Sequence, residues 1–179
     1  MYIFADSFRR HGRQCIMKFV KTIKLKPLLY SLLIPLGTGG AVGFIMAITG
    51  QFADYGELFQ PPLSPPSWVF FVAWTILYAL MGISSYLVLT ADVPVGTRSD
   101  ALWIYFVQLG INLIWPILSF YFDMRLAAFL WIIVLIATVV RMIVSFWFIS
   151  RPAALLQIPY ILWLIFAAYL NGATYILNG

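Results

Sequence analysis

Residues 66–90 read PSWVFFVAWTILYALMGISSYLVLT, without a single charged side chain. About 20 consecutive apolar residues carry a helix across the hydrocarbon core of a bilayer, so this stretch is read as a membrane span. Working outward, the same criterion predicts five spans, at about 28–50, 66–90, 101–122, 126–148 and 153–176. Beyond residue 27 the charged residues are Asp54, Glu57, Asp92, Arg98, Asp100, Asp123, Arg125, Arg141 and Arg151, and all but Arg141 fall between those runs. Composition agrees: 63% of the 179 residues are hydrophobic and 9% charged, against about 25% charged in soluble domains. The expected fold is an all-α integral membrane protein, a five-helix transmembrane bundle. Its short connections make successive helices antiparallel neighbours.

Seven of the eleven basic residues, Arg9, Arg10, Arg13, Lys18, Lys21, Lys24 and Lys26, precede the first span, whereas residues 51–65 hold only Asp54 and Glu57. The positive-inside rule then places the N-terminus in the cytoplasm and the C-terminus outside. Residues 1–27 are read as a basic cytoplasmic segment and 28–178 as the membrane domain. The basic run reads first as a topological signal and second as a site for lipid headgroups. Met17 opens MKFVKTIKLKP, an alternative start that makes 1–16 an upstream extension. A bacterial plasma membrane is the expected location. The first span is longer than a signal h-region and is read as an anchor.

One cysteine and one histidine, Cys15 and His11, lie outside the spans. That excludes an internal disulfide and leaves no transition-metal set. No P-loop, dinucleotide fingerprint or histidine relay is present, and no cofactor or nucleic-acid partner is expected.

At 100° per residue, the second span gathers Trp68, Phe71, Trp74, Thr75, Tyr78, Gly82, Ser85 and Tyr86 on one face and aliphatic residues on the other. The third aligns Tyr105, Gln108, Asn112, Trp115 and Ser119 within about 80°. The fifth aligns Tyr160, Trp163, Ala167, Asn171, Thr174 and Asn178 within about 100°. Side-chain amides in hydrocarbon require partners, so these stripes must face protein, ligand or water. Helix packing with interfacial aromatic belts accounts for Trp68, Trp103, Trp131 and Trp147 near span ends. Trp74, Trp115 and Trp163 lie deeper and share faces with polar groups, as a pocket for a flat ligand requires. The fourth span groups Trp131, Thr138, Arg141 and Ser145; Arg141 either snorkels to the headgroups or meets an anionic ligand inside the bundle. The first span carries Gly37, Gly39, Gly40 and Gly43, which permit close helix approach.

LFQPPLSPPSWVFFVAWTILYALMGISSYLV (58–88), NLIWPILSFYF (112–122) and RPAALLQIPYILWLIFAAYLNGATYILN (151–178) together resemble the TspO/MBR family of tryptophan-rich sensory proteins and translocator proteins, also called peripheral-type benzodiazepine receptors. The carrying motifs are a proline-rich loop entering a W-x(5)-W helix, N-x-x-W in the third span, and P-Y-x-x-W-x-x-F-A-x-x-L-N in the fifth. The resemblance covers residues 28–178. It implies a homodimer of five-helix bundles whose pocket, beneath the loop between spans 1 and 2, takes porphyrins such as protoporphyrin IX. Carried over by motif, the pocket positions are Tyr55, Trp74, Asn112, Trp115, Trp163 and Ala167. The helical faces add Tyr78, Gln108, Tyr160 and Asn171. Leu63 stands where many relatives have a tryptophan, and Pro116 is expected to kink span 3. Nothing basic follows Tyr169 or Tyr175, so sterol binding is not expected.

The expected function is binding of a porphyrin-type tetrapyrrole in an aromatic pocket, in a sensory or ligand-translocating role. The alternative, implied by the same resemblance, is a light- and oxygen-dependent porphyrin-degrading enzyme with Trp74 and Trp163 as redox partners. In the loop, Ser64 is expected to cap the second helix and Pro65 to open it, with Pro61 and Pro62 as a stiff strap over the pocket mouth.

Overall fold

A computed structural model describes residues 23–50, 59–122 and 124–178. The described residues are helical without strands: α1 Leu25–Ile48, α2 Ser67–Leu89, α3 Val95–Pro116, a π-helical turn Ile117–Tyr121, α4 Arg125–Ile149, a short α5 Arg151–Leu155 and α6 Ile158–Asn178. Five segments are long and apolar enough to cross a membrane, α5 and α6 counting as one. Tyr55 and residues 1–22 lie outside the described residues.

The α3 helix starts at Val95, a turn and a half before the predicted span, because the polar run Gly96–Asp100 continues the helix beyond the apolar stretch. Near its other end, Pro116 lacks the N–H that would reach back to Asn112 O. The helix does not simply kink there; it widens into the π-turn, where Phe122 N donates to Ile117 O at 3.1 Å. Pro159 separates α5 from α6 by the same chemistry, since it can neither donate to Leu155 O nor avoid that carbonyl.

The start of α2 differs from the expectation. Ser64 does not cap it: the first helical residue is Ser67, Pro66 occupies the cap position in a polyproline conformation (φ −57°, ψ 149°), and Ser64 Oγ has no hydrogen-bond partner. A residue preceding proline is driven out of the α region, so Ser64 before Pro65, and Pro65 before Pro66, cannot be helical. The chain instead turns over Pro61–Ser64, where Ser64 N donates to Pro61 O at 3.2 Å and Leu63 takes φ +69°. That is the geometry of a type II turn, whose third position favours glycine.

Two layers compose the bundle. The α1 helix packs along α2, α4 lies between α3 and α6, and contacts of α2 with α3 and α5 join the layers. In hydrocarbon the drive to associate is close packing rather than water exclusion, and glycines supply it. The α1 backbone runs against Gly82, where an added Cβ would lie 2.7 Å from Ser31 O, and the Tyr78 ring rests directly on Gly39. Apolar burial is concentrated in the inner half of the bundle, around Met81, Val88, Tyr105, Val139, Met142 and Phe146. Trp131 Nε1 donates to Ile111 O at 2.8 Å and pins α4 to α3.

The Gly82→Ala variant is expected to lose about 1–3 kcal/mol because the methyl meets backbone that cannot yield. Gly37→Ala, facing open space, should be neutral or gain up to about 1 kcal/mol of helix propensity. Thermal unfolding in detergent measures both.

Candidate functional site

The outer half of the bundle, under the 59–66 segment, is hollow. A cavity of about 720 Å³ lies between the two layers, within the ~300–1,000 Å³ of sites that take drug-sized ligands and cofactors. Its walls come from α1, α2, α3 with its π-turn, the start of α4, and α6.

The inner wall is a chain of hydrogen bonds. Tyr78 Oη donates to Asn112 Oδ1 at 2.7 Å, Asn112 Nδ2 donates to Tyr160 Oη at 3.0 Å, and Tyr160 Oη donates to Gln108 Oε1 at 3.1 Å. All four residues are buried, where a hydrogen bond is stronger than in water. The chain runs from α2 through α3 to α6 and holds the two layers at a fixed separation.

Over this wall the indoles are arrayed. Trp74 sits 5.6 Å from Tyr78, 6.2 Å from Trp115 and 6.3 Å from Tyr160, ring centre to ring centre. Such offset and tilted contacts suit rings that share a flat guest. Facing them, Gly39, Gly40 and Gly43 of α1 line the cavity without side chains, and Gly40 and Gly43 look into open space. The aromatic wall therefore faces a stretch of α1 in which bare glycine backbone alternates with the side chains of Leu36, Val42 and Met46. The proportions are those of a slot.

Of the residues nominated from sequence, Trp74, Tyr78, Asn112, Trp115, Ala167 and Asn171 line this cavity. Gln108 and Tyr160 stand behind it as the buried half of the hydrogen-bond chain. Trp163 is not in the wall: it packs edge-on against Phe70 at 5.9 Å and beside Phe166 at 5.7 Å, and its buried Nε1 has no partner. Tyr55 lies outside the described residues. Arg141 is exposed on the bundle's outer surface and does not reach the cavity.

The cavity also has walls that no motif pointed to, among them Gly39, Gly43, Met46, Pro116 and Arg125. Beside the cavity the proline-rich segment is tied to α6. Asn178 of α6 accepts from Phe59 N through Oδ1 at 2.9 Å and donates through Nδ2 to Phe59 O at 3.0 Å. Tyr169 Oη donates to Pro62 O at 2.9 Å. The proline-rich segment is thus fastened to α6 at two points about two and a half turns apart.

Such a bundle, helical and apolar with an aromatic-walled internal cavity, defines a membrane-embedded helical protein by its architecture. Comparison with known proteins narrows the class: residues 31–176 match the model of the TspO/MBR family, and the chain belongs to that family. It is 38% identical over 151 residues to a tryptophan-rich protein TspO of Archaeoglobus fulgidus, covering 84% of this chain and 96% of that one. It is also 34% identical to the translocator protein of Ovis aries over 142 residues, 74% of this chain and 79% of the relative. A tryptophan-rich sensory protein of Cereibacter sphaeroides shares 31% over 124 residues, 69% and 76% of the two chains. The protein is accordingly an integral, multi-pass membrane protein.

Replacing Asn112 with leucine leaves the Tyr78 and Tyr160 hydroxyls without their shared partner. The expected loss is about 2–4 kcal/mol, while Tyr78→Phe, which removes only the donor at the end of the chain, should lose about 1 kcal/mol. Reversible unfolding in mild detergent separates the two.

Proposed function

We propose that the cavity binds a porphyrin-type tetrapyrrole such as protoporphyrin IX, and that the protein senses or passes on that ligand. The observation that carries this reading is the slot itself: Trp74 and Trp115 on one side, Gly40 and Gly43 of α1 on the other, with the Tyr78 ring resting on Gly39 to close its floor. A rigid macrocycle is matched by a broad, low-entropy aromatic surface. Asn112, with both amide groups engaged in the wall, orients that surface. Relatives named translocator protein and tryptophan-rich sensory protein support both a transport and a sensing role. The seven basic residues within 1–27 support a cytoplasmic N-terminus, and with it a bacterial plasma membrane. A homodimer is proposed on the family resemblance.

The photo-oxidative reading has one supporting observation, the Trp74–Trp115 pair at 6.2 Å in the wall, where an excited macrocycle would meet two indoles. On this geometry Trp115, rather than Trp163, would join Trp74 as a redox neighbour. Loss of Soret absorbance on illumination in air is its readout; a bound porphyrin whose spectrum is stable under those conditions leaves binding as the function.

Titration of detergent-purified protein with protoporphyrin IX, followed by tryptophan quenching, tests the binding reading. Trp74→Ala and Trp115→Ala should each lose about 1–3 kcal/mol of stacking, weakening Kd roughly 5- to 150-fold. Trp163→Ala should weaken it by a smaller factor. Linear, unsaturable quenching in the wild type contradicts the proposal.

The strap sets the rates. Asn178→Ala removes both bonds to Phe59 and is expected to raise ligand on- and off-rates together by several-fold with little change in Kd. Stopped-flow mixing measures both, and unchanged rates assign the proline-rich segment to helix entry alone.

A further inference from the structure

Arg141 is the one charge among the described residues that sits deep in a span, eight residues short of Ile149 at the end of α4. It is exposed on the outer surface of the bundle, and no hydrogen bond or ion pair reaches it from any described residue. A guanidinium in hydrocarbon is tolerated where its side chain climbs to the interface or meets an anion, and the helix dimensions decide how far it climbs. At 25 residues, α4 is about 37 Å long, so centred on a hydrocarbon core of about 30 Å it overhangs by about 4 Å at each end. The Arg141 Cα lies about 12 Å from the Ile149 end, hence about 8 Å inside the boundary. An extended arginine side chain covers about 6–7 Å of that. Its guanidinium therefore stops just under the layer of lipid phosphates.

Trp147 marks the same level independently. It lies about 9 Å further along the helix, is 43% exposed, and carries the Arg151 guanidinium 5.4 Å from its ring centre; an indole in that setting belongs to the interface.

Ser145 supplies a second contact, one turn beyond Arg141 towards that end and about 40° round the helix. Thr75, Thr90 and Thr138 each turn their hydroxyl back to the carbonyl four residues earlier. Ser145 makes no such bond, and its hydroxyl has no partner among the described residues. A cation and a hydroxyl thus lie on one strip of the helix, with Val134, Val140 and Val144 exposed beside it. The wider field agrees. Bonds from Lys24 N to Tyr86 Oη and from Ser84 Oγ to Ala153 O bring the starts of α1 and α5 to the same end of the bundle, and Arg98 is held there through Ala91 O. Among the described residues of that end, Lys24, Lys26, Arg98 and Arg151 outnumber Asp92 and Asp100.

We propose that Arg141 and Ser145 form a site for the phosphate of an anionic phospholipid, whose acyl chains run along Val144, Val140 and Val134 in the leaflet at the Ile149 end. Neither residue lines the cavity, and the site does not rest on the ligand reading. In the topology proposed above, that leaflet is the cytoplasmic one.

Delipidated protein in neutral detergent is mixed with equal amounts of phosphatidylglycerol and phosphatidylcholine of the same chain length, and native mass spectrometry counts the lipid retained per chain. The first bound lipid should be phosphatidylglycerol in about 5-fold excess, the preference that one interfacial cation gives an anionic headgroup. Arg141→Gln should bring that ratio to about one, and Arg141→Lys should keep part of it. Ser145→Ala should weaken retention of the first phosphatidylglycerol about 2- to 5-fold. Arg151→Gln, which removes the cation stacked on Trp147, should leave the ratio as in the wild type. Equal retention of the two lipids by the wild type overturns the proposal. So does a preference that survives Arg141→Gln, or one that Arg151→Gln removes to the same extent, since either assigns it to the general positive charge of that end.

Discussion

A polar side chain placed in hydrocarbon must find a partner inside the protein, and the bundle is arranged around one solution to that requirement. Asn112 is buried among three helices, accepting from Tyr78 and donating to Tyr160, which passes a bond to Gln108. Each link loses far more when broken than it contributes when made, because the orphaned group has no water to turn to. The network therefore fixes how α2, α3 and α6 stand relative to one another. It also fixes the inner wall of the cavity, so the interaction that joins the layers is the one that shapes the site.

Above that wall the layers separate. The aromatic side chains of α2 and α3 and the bare glycine backbone of α1 leave a slot, and the π-turn after Pro116 keeps Ser119 and Pro116 on its rim. Below it the bundle closes around Tyr105, Val139 and Phe146. The proline-rich segment is held to α6 beside that slot, and Asn178 is the joint of that end. Its side chain holds the strap at Phe59 and its carbonyl holds Arg125.

Much of this was legible in the sequence because hydrophobicity and a 3.6-residue period act locally. Five apolar runs, the inward stripe of α3 and the polar face of α6 all follow from residue order. What period cannot supply is depth along a helix and the partner across from it. Trp163 shares a face with Ala167 and Asn171, yet it packs against Phe70, which lines the cavity in its stead. Gln108 and Tyr160 share faces with wall residues but lie one layer behind. Arg125 read as a loop charge at a span end, whereas Arg141, deep in its span, drew attention as a cation and is exposed. Ser64 carried a good capping side chain, but successive pre-proline restrictions outweighed a single hydrogen bond and moved the helix start to Ser67.

The central claim, that a flat tetrapyrrole lies between Trp74, Trp115 and the α1 glycines against the Asn112 wall, is tested most directly by ring-current shifts in solution NMR. Protoporphyrin IX is titrated into detergent-solubilised protein with labelled alanine methyls and asparagine side-chain amides. The account predicts large shifts at the Ala167 methyl and the Asn112 amide, saturating at one porphyrin per chain, with lipid-facing Ala137 unmoved. Shifts that grow linearly with porphyrin and fall on the lipid-facing surface, while Ala167 and Asn112 stay in place, would contradict it.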